Sequence, residues 1–428
     1  MLDRKIAPKI IDPIDFNLTL KPYQKWSLAN NTPVYAVDAG AEEVVSVELL
    51  FEAGAGLETK PQVAAAVNQL LKNGTKTKSA FEIAEAFDFY GAYLNVGSSS
   101  EYASISLSCL TKHLPVLLPM VTELLTESVF PEEELSIYIQ NSLQRLEMNL
   151  RKGDFVAGRL IDAYVYGDKH PYGKYTHKED LSALNSDDLR TYYTRHYSKG
   201  NCKIFVAGKL PANIETLLNS AFGHLPFENK ISILSSIDYS KAPAAQKTNI
   251  LINDESSVQG AIRLAREMPN RKSPDWPKLQ VLNTVFGGYF GSRLMSNIRE
   301  DKGYTYGIHS YLQGHIHESA WVVSTEAGKD VSAATVEEVW KEAAELKEEL
   351  IDAEELKLVK NYVIGSILGS LDGPFHIIGR WKSYILHDLP ADYFQQNITA
   401  IKSVQPEELR ELARKYLTED AFYQLTVF

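Results

Sequence analysis

The stretch PVYAVDAGAEEVVSVELLF (33–51) reads as two strands around a turn, and its second limb, VSVELLF, alternates with the period of a half-buried strand. Further on, HLPVLLPMVTELLTESVF carries apolar residues at helical spacing and runs into PEEEL (131–135) and a second helix, LSIYIQNSLQRLEMNLRKG. The same order is written again later. TNILINDESSVQGAIRLAR (248–266) is a second strand pair, and VSAATVEEVWKEAAELKEEL runs into DAEEL (352–356) and KLVKNYVIGSILGSL. PEEEL and DAEEL lie 221 residues apart, at 131 and 352. Each copy closes on an aromatic-basic triplet and a last strand, RHY (195–197) before CKIFVAG and RKY (414–416) before AFYQLTVF. A tandem repeat of one supersecondary plan follows.

Strand pairs, long amphipathic helices and a returning strand predict an α+β fold of two homologous domains, each a largely antiparallel sheet packed with helices. The expected boundaries are an extended arm over 1–24, a first domain over 25–225, a linker over 226–247 and a second domain over 248–428. The linker is polar, with Pro and Ala and no periodicity. A length of 428 residues suits two cores rather than one.

Composition narrows the function classes. Hydrophobic residues make up 44% and charged residues 23%, an ordinary globular balance, and the formal net charge of −11 argues against a nucleic-acid partner. Cys109 and Cys202 sit in apolar strand-like runs without metal-type spacing. The first residues show no signal peptide, and no apolar run is long enough for a membrane span, so a cytoplasmic protein is expected.

Several segments carry a resemblance in order and spacing: VELLFEAGAGLE, LLKNGTKTKS, GAYLNVGSSSEYASISL, HPYGKYT, SKGNCKIFVAG and GGYFGSRLMSNIREDKGYTYGI. Over about residues 25–428 the chain resembles the insulinase/pitrilysin zinc metallopeptidases, in particular the two-domain subunits of processing peptidases. Active members carry HxxEH on the helix before the Gly-Thr pair, where two His one turn apart hold zinc and the Glu activates its water. The matching residues before Gly74–Thr75 are Ala65, Ala66, Val67, Asn68 and Gln69. None supplies an imidazole, and Asn68 cannot act as a general base. The third ligand of the family falls near Gln144, with Glu147 one turn away. No catalytic residue and no metal ligand is therefore assigned to this chain.

What the resemblance does retain is Arg299 and, seven residues on, Tyr306 in IREDKGYTYG. In the family such a pair contacts the substrate backbone across a closed chamber. A helix ending near Lys302–Gly303 and a strand through Tyr304–Tyr311 would bring a guanidinium and a phenol together, both donors suited to a peptide carbonyl or its oxyanion. Tyr304 is expected to face away from Tyr306 and to be structural. The resemblance thus implies a non-catalytic subunit that supplies substrate-binding residues to an HxxEH-bearing partner, which holds the zinc and cuts unfolded peptides. The alternative is a scaffold homologue without turnover, like the processing-peptidase-like core subunits of respiratory complexes. A homodimer is a further option for the isolated chain.

His315 and His317 would project from one face of a strand as a metal pair, but no third ligand is evident. FGGYFGSR (286–293) lacks the Lys-Ser/Thr of a phosphate loop and reads better as a close-approach turn. Asn95 and His170 are expected to be structural. The run EEVWKEAAELKEEL (337–350) reads as a solvated helix face.

Overall fold

The computed structural model describes residues 11–228 and 232–428. In the first half, strands β1 (Gln24–Ser27), β2 (Pro33–Asp38), β3 (Val44–Phe51), β4 (Tyr93–Ser98), β5 (Ala103–Leu110) and β6 (Cys202–Gly208) form one sheet in the order β1-β2-β6-β3-β5-β4. In the second, β7 (Thr248–Leu251), β8 (Gln259–Met268), β9 (Thr305–Gly314), β10 (Ser319–Gly328) and β11 (Tyr423–Val427) form another in the order β7-β11-β8-β10-β9. Among the described residues, only the β2·β6 and β7·β11 pairs are parallel. The two orders superpose once β1 is set aside, so the repeat read in the sequence is a repeat of sheet topology. The fold is α+β, with two mainly antiparallel sheets packed with helices.

The helices of the first half are α1 (Val63–Leu70), α2 (Ala80–Phe89), α3 (Leu114–Glu127), α4 (Glu132–Leu150), α5 (Gly153–Tyr166), α6 (Lys178–Ser182), α7 (Ser186–Tyr193) and α8 (Ile214–Phe222). Those of the second are α9 (Trp276–Asn283), α10 (Ser332–Glu348), α11 (Ala353–Gly369), α12 (Pro374–Leu386), α13 (Tyr393–Ser403) and α14 (Pro406–Tyr416). α11, α12 and β11 begin at 353, 374 and 423, each 221 residues after α4, α5 and β6 at 132, 153 and 202.

One helix of each half crosses to the other. α5 packs on β8 and β11 of the second sheet, and its counterpart α12 packs on β2 and β6 of the first. Strand burial follows from this exchange. On β3, Val45, Val47, Leu49 and Phe51 face the helices of their own half, whereas Leu50 joins Tyr35, Tyr102 and Phe205 against Ile378 and Ile385 of α12. On β8, Ile262 and Leu264 face their own helices while Ala261 and Ala265 lie under Val156, Ala157 and Ile161 of α5. Each exchanged helix also carries an ion pair to the sheet it covers. Lys382 of α12 reaches Glu48 of β3 at 2.8 Å, and Asp154 of α5 binds Arg263 of β8.

Residues 11–23 run over the second half. Leu18 is buried in its core, the Ile14 amide donates to Asn361 Oδ1 at 3.1 Å, and the Trp381 indole donates to the Lys21 carbonyl at 2.8 Å. Cys109 lies opposite Val45 and Cys202 opposite Phe51, at the two ends of β3. At the rise of a strand this is roughly 20 Å, far beyond disulfide reach. Among the described residues no helix is long and apolar enough to cross a membrane.

Candidate functional site

Arg299 lies in a wide π-helical turn, Met295–Asp301, that leads into the edge strand β9. The turn is anchored from below. The Asn297 amide donates to Glu338 at 3.1 Å and to Glu342 at 2.7 Å, both on α10, and Lys302 pairs with Glu338 at 3.5 Å. Glu338 and Glu342 are buried, so the charged run over α10 is not wholly solvated as its spacing suggests: one face of it clamps this turn. Burial holds the Glu342 carboxyl above its ordinary range. Gly303 then takes φ +64°, a conformation that suits glycine, and reverses the chain into β9.

The reversal brings Arg299 back to Tyr306. The Arg299 Nε donates to the Tyr306 carbonyl at 2.9 Å. The guanidinium carbon lies 4.7 Å from the centre of the Phe290 ring and 5.7 Å from that of Tyr306. Its Nη1 is 3.7 Å from Glu300. The Tyr306 side chain is 93% exposed and that of Phe290 62%. The outcome is a cation with a fixed Nε, flanked by two aromatic rings open to solvent, one of them the phenol of Tyr306. Such an arrangement can hold a carbonyl or an anionic oxygen through the remaining guanidinium hydrogens and the phenol. Tyr304 does face away and packs against the second core, but not by strand alternation. It precedes β9, where residues two apart would share a face.

The degenerate motif falls on α1. Asn68, where the family's general base stands, is 1% exposed and donates through Nδ2 to the Tyr197 hydroxyl at 3.1 Å and the Ser104 carbonyl at 3.2 Å. Ala65 is partly buried and Gln69 exposed, as are Gln144 and Glu147 on α4. An alkyl group, a committed core amide and a neutral exposed amide do not make a donor set that fits zinc. Among the described residues no three His, Cys, Asp or Glu side chains are grouped to hold a metal ion. A cavity of about 550 Å³ opens beside Ala65, bounded by the Ser98–Ser100 turn and the Asp168–Lys174 loop. On its wall Lys174 is paired at 2.9 Å with Glu58, whose side chain is 3% exposed, and Glu58 also accepts from the Ala64 amide near the start of α1.

Of the remaining candidates, the three histidines are engaged in packing. His315 and His317 lie in the turn between β9 and β10, not on a strand, and their rings go to different partners. His315 stacks on Tyr172 at 4.0 Å and His317 packs on Tyr239 at 4.2 Å. His170 is buried, and its Nδ1 accepts from the Tyr172 amide. Asn95 is exposed on the edge strand β4, opposite Ser106. A Cβ on Gly287 would meet the Cβ of Ser310 at 2.7 Å, so the glycine-rich stretch is a close-approach turn. Phe290 joins Arg299 and Tyr306 only in the folded chain. A phenylalanine in a glycine-rich stretch carries no signal until folding sets it against Arg299.

Two family models cover most of the chain. The model described as "Insulinase (Peptidase family M16)" matches residues 34–166, and that described as "Peptidase M16 inactive domain" matches 183–363. The chain belongs to the insulinase family, peptidase family M16. Among M16 relatives it is 27% identical over 351 residues to the uncharacterized zinc protease YmxG of Bacillus subtilis, covering 81% of this chain and 83% of that protein. In fold, this M16 chain is similar to a peptidase M16 inactive domain from Pseudomonas fluorescens, with a TM-score of 0.81, 23% identity and coverage of 95% and 98% of the two chains. A chain of Complex III2 from Candida albicans is similar with a TM-score of 0.73 at 12% identity, covering 94% of this chain and 95% of that one. These structural likenesses concern the fold.

Proposed function

We propose that this M16 chain is the non-catalytic subunit of a heterodimeric zinc peptidase, supplying Arg299 and Tyr306 to a partner that bears HxxEH and zinc. The carrying observation is the contrast between the two sites. The positions that would hold and activate zinc are Ala65, Asn68 and Gln69, with Asn68 absorbed into the core, whereas Arg299 is pinned by the Tyr306 carbonyl and Tyr306 stands 93% exposed. A tyrosine projecting this far contributes little to the stability of the chain that carries it and much to a complex that covers it. Unfolded peptides are the substrates this reading implies, because the pair is suited to backbone carbonyls.

The test mixes the chain with an HxxEH-bearing M16 subunit and follows cleavage of an unstructured peptide. Activity is expected to need both chains and to fall on the order of 100-fold in Arg299→Ala, with a smaller loss in Tyr306→Phe, as for removal of an oxyanion donor. An unchanged rate in both variants would sink the proposal. The second reading, a scaffold without turnover, is favoured by the similarity to a chain of Complex III2. It predicts a stable assembly that forms equally well with Arg299→Ala and cleaves nothing.

A further inference from the structure

We infer that the outer edge of β7 is an interaction surface for a second copy of this chain, the two β7 strands pairing antiparallel across a two-fold axis so that the second sheet runs on into that of its neighbour.

The internal repeat shows what this edge lacks. β2 and β7 are counterparts, each the parallel neighbour of the strand that closes its half, β6 or β11. The outer edge of β2 is covered by β1, which pairs with it antiparallel from Gln24↔Ala36 to Ser27↔Pro33. Among the described residues no strand covers the outer edge of β7. The Lys247 and Leu251 carbonyls accept from the Gln424 and Phe428 amides, and the Asn253 amide donates to the Phe428 carbonyl. By the two-residue period of a strand, the amides and carbonyls of Ile250 and Ile252 therefore point away from the sheet. Nothing in the run TNILIN (248–253) blunts this edge, since it holds neither a charge nor a proline. Its apolar side chains are open to solvent as well, Ile250 at 69% and Ile252 at 52%.

Charge says which partner fits. Lys247 precedes the run, and Asp254 and Glu255 follow it. Antiparallel pairing of two identical copies sets the cation of each beside the carboxylates of the other at both ends, whereas parallel pairing sets like on like. Among the described residues these groups have no ion pair of their own: Lys247 lies 3.6 Å from the Tyr423 ring centre, and Asp254 accepts from Ser256. Pairing Ile250 of one copy with Ile252 of the other uses the outward backbone groups of both and puts Leu251 on the axis, facing itself. β7 and β9 are the opposite edges of the sheet, so each copy keeps Arg299 and Tyr306 free for another chain. A contact of one strand pair is smaller than the roughly 1,200 Å² of a standard complex, which sets the dissociation constant on the order of 10 µM.

The test is sedimentation equilibrium on the whole chain at concentrations below and well above that value. Wild type is expected to pass from monomer to dimer. Ile250→Lys, at an exposed position, should weaken association by at least about tenfold with the melting temperature unchanged. Lys247→Glu and Glu255→Lys should each weaken it about fivefold, and a mixture of the two variants should regain wild-type affinity, because every charge then meets its opposite. Leu251→Cys should cross-link to itself under mild oxidation, and Thr248→Cys should not, because only position 251 faces its own copy. A chain that stays monomeric throughout overturns the inference, whether another segment covers β7 or nothing does. A dimer that Ile250→Lys and the charge variants leave intact overturns it equally, since the contact then lies elsewhere.

Discussion

Asn68 shows how one side chain changes what a helix does. Its amide bonds the Tyr197 hydroxyl and the Ser104 carbonyl, so the position that would carry a general base instead ties α1 to β5 and to the aromatic turn before β6. Asn68→Ala should leave the fully buried Tyr197 hydroxyl short of a partner and cost about 1–3 kcal/mol, the penalty for orphaning a buried polar group. Urea unfolding with an unchanged slope and a lower midpoint would register it. Asn68→Asp, similar in shape but acidic, should cost more, since a carboxylate there has no cation to meet. The absence of ligands at Ala65 and Gln69 was legible in the sequence, because residue type alone decides whether a lone pair is offered. That Asn68 is a structural tie was not legible, because its partners are 36 and 129 residues away.

The exchanged pair α5 and α12 is the element that binds the two halves. Periodicity finds both helices, and the 221-residue repeat pairs them, but neither says which sheet a helix covers. The choice is set by the far faces of the sheets, where Leu50, Tyr35 and Phe205 on one side and Ala261, Ala265 and Leu425 on the other need cover. Tyr166, fully buried at the end of α5, lies against the second sheet. Tyr166→Ala should cost about 3–5 kcal/mol, as large aromatic deletions in cores do. Because it removes packing between halves, thermal unfolding is expected to split into two transitions, which calorimetry would resolve; one unshifted transition would speak against α5 as the joint. The π-helical turn Met295–Asp301 is similar in kind. Its helix-like spacing was readable, while its clamp, Asn297 to Glu338 and Glu342, unites residues that the sequence presents as solvated charges.

At the scale of the molecule, the ends of α5 and α12 gather His170, His315 and His387 with Tyr166, Tyr172 and Tyr239 between the halves, and the buried Glu101 accepts from the Tyr172 and Tyr239 hydroxyls. Burial, then the neighbouring His170 and His387, lowers His315 to about 4, and burial lowers His196 in the first core to about 4. Against an ordinary value of 6.5 these imidazoles take up protons more readily when unfolded, so stability should fall as pH drops from 6.5 toward 4 and change no further below it. Asp162 on α5 has the opposite sign. Burial raises it to about 6 from 3.8, and its contribution is full below 3.8 and lost as pH rises past 6. Melting temperatures across pH 7.5 to 4 should therefore decline, and His315→Phe should flatten the decline without abolishing it. An equally steep decline in His315→Phe would refute a role for the cluster. The sequence by itself determined the repeat, the α+β class, the missing zinc ligands and the Arg299/Tyr306 spacing, because each is a matter of local period or residue type. Only the tertiary structure decided the helix exchange, the imidazole cluster and the setting of Phe290 against Arg299. These depend on which distant surfaces are buried together, a free-energy balance over the whole chain that no local pattern encodes.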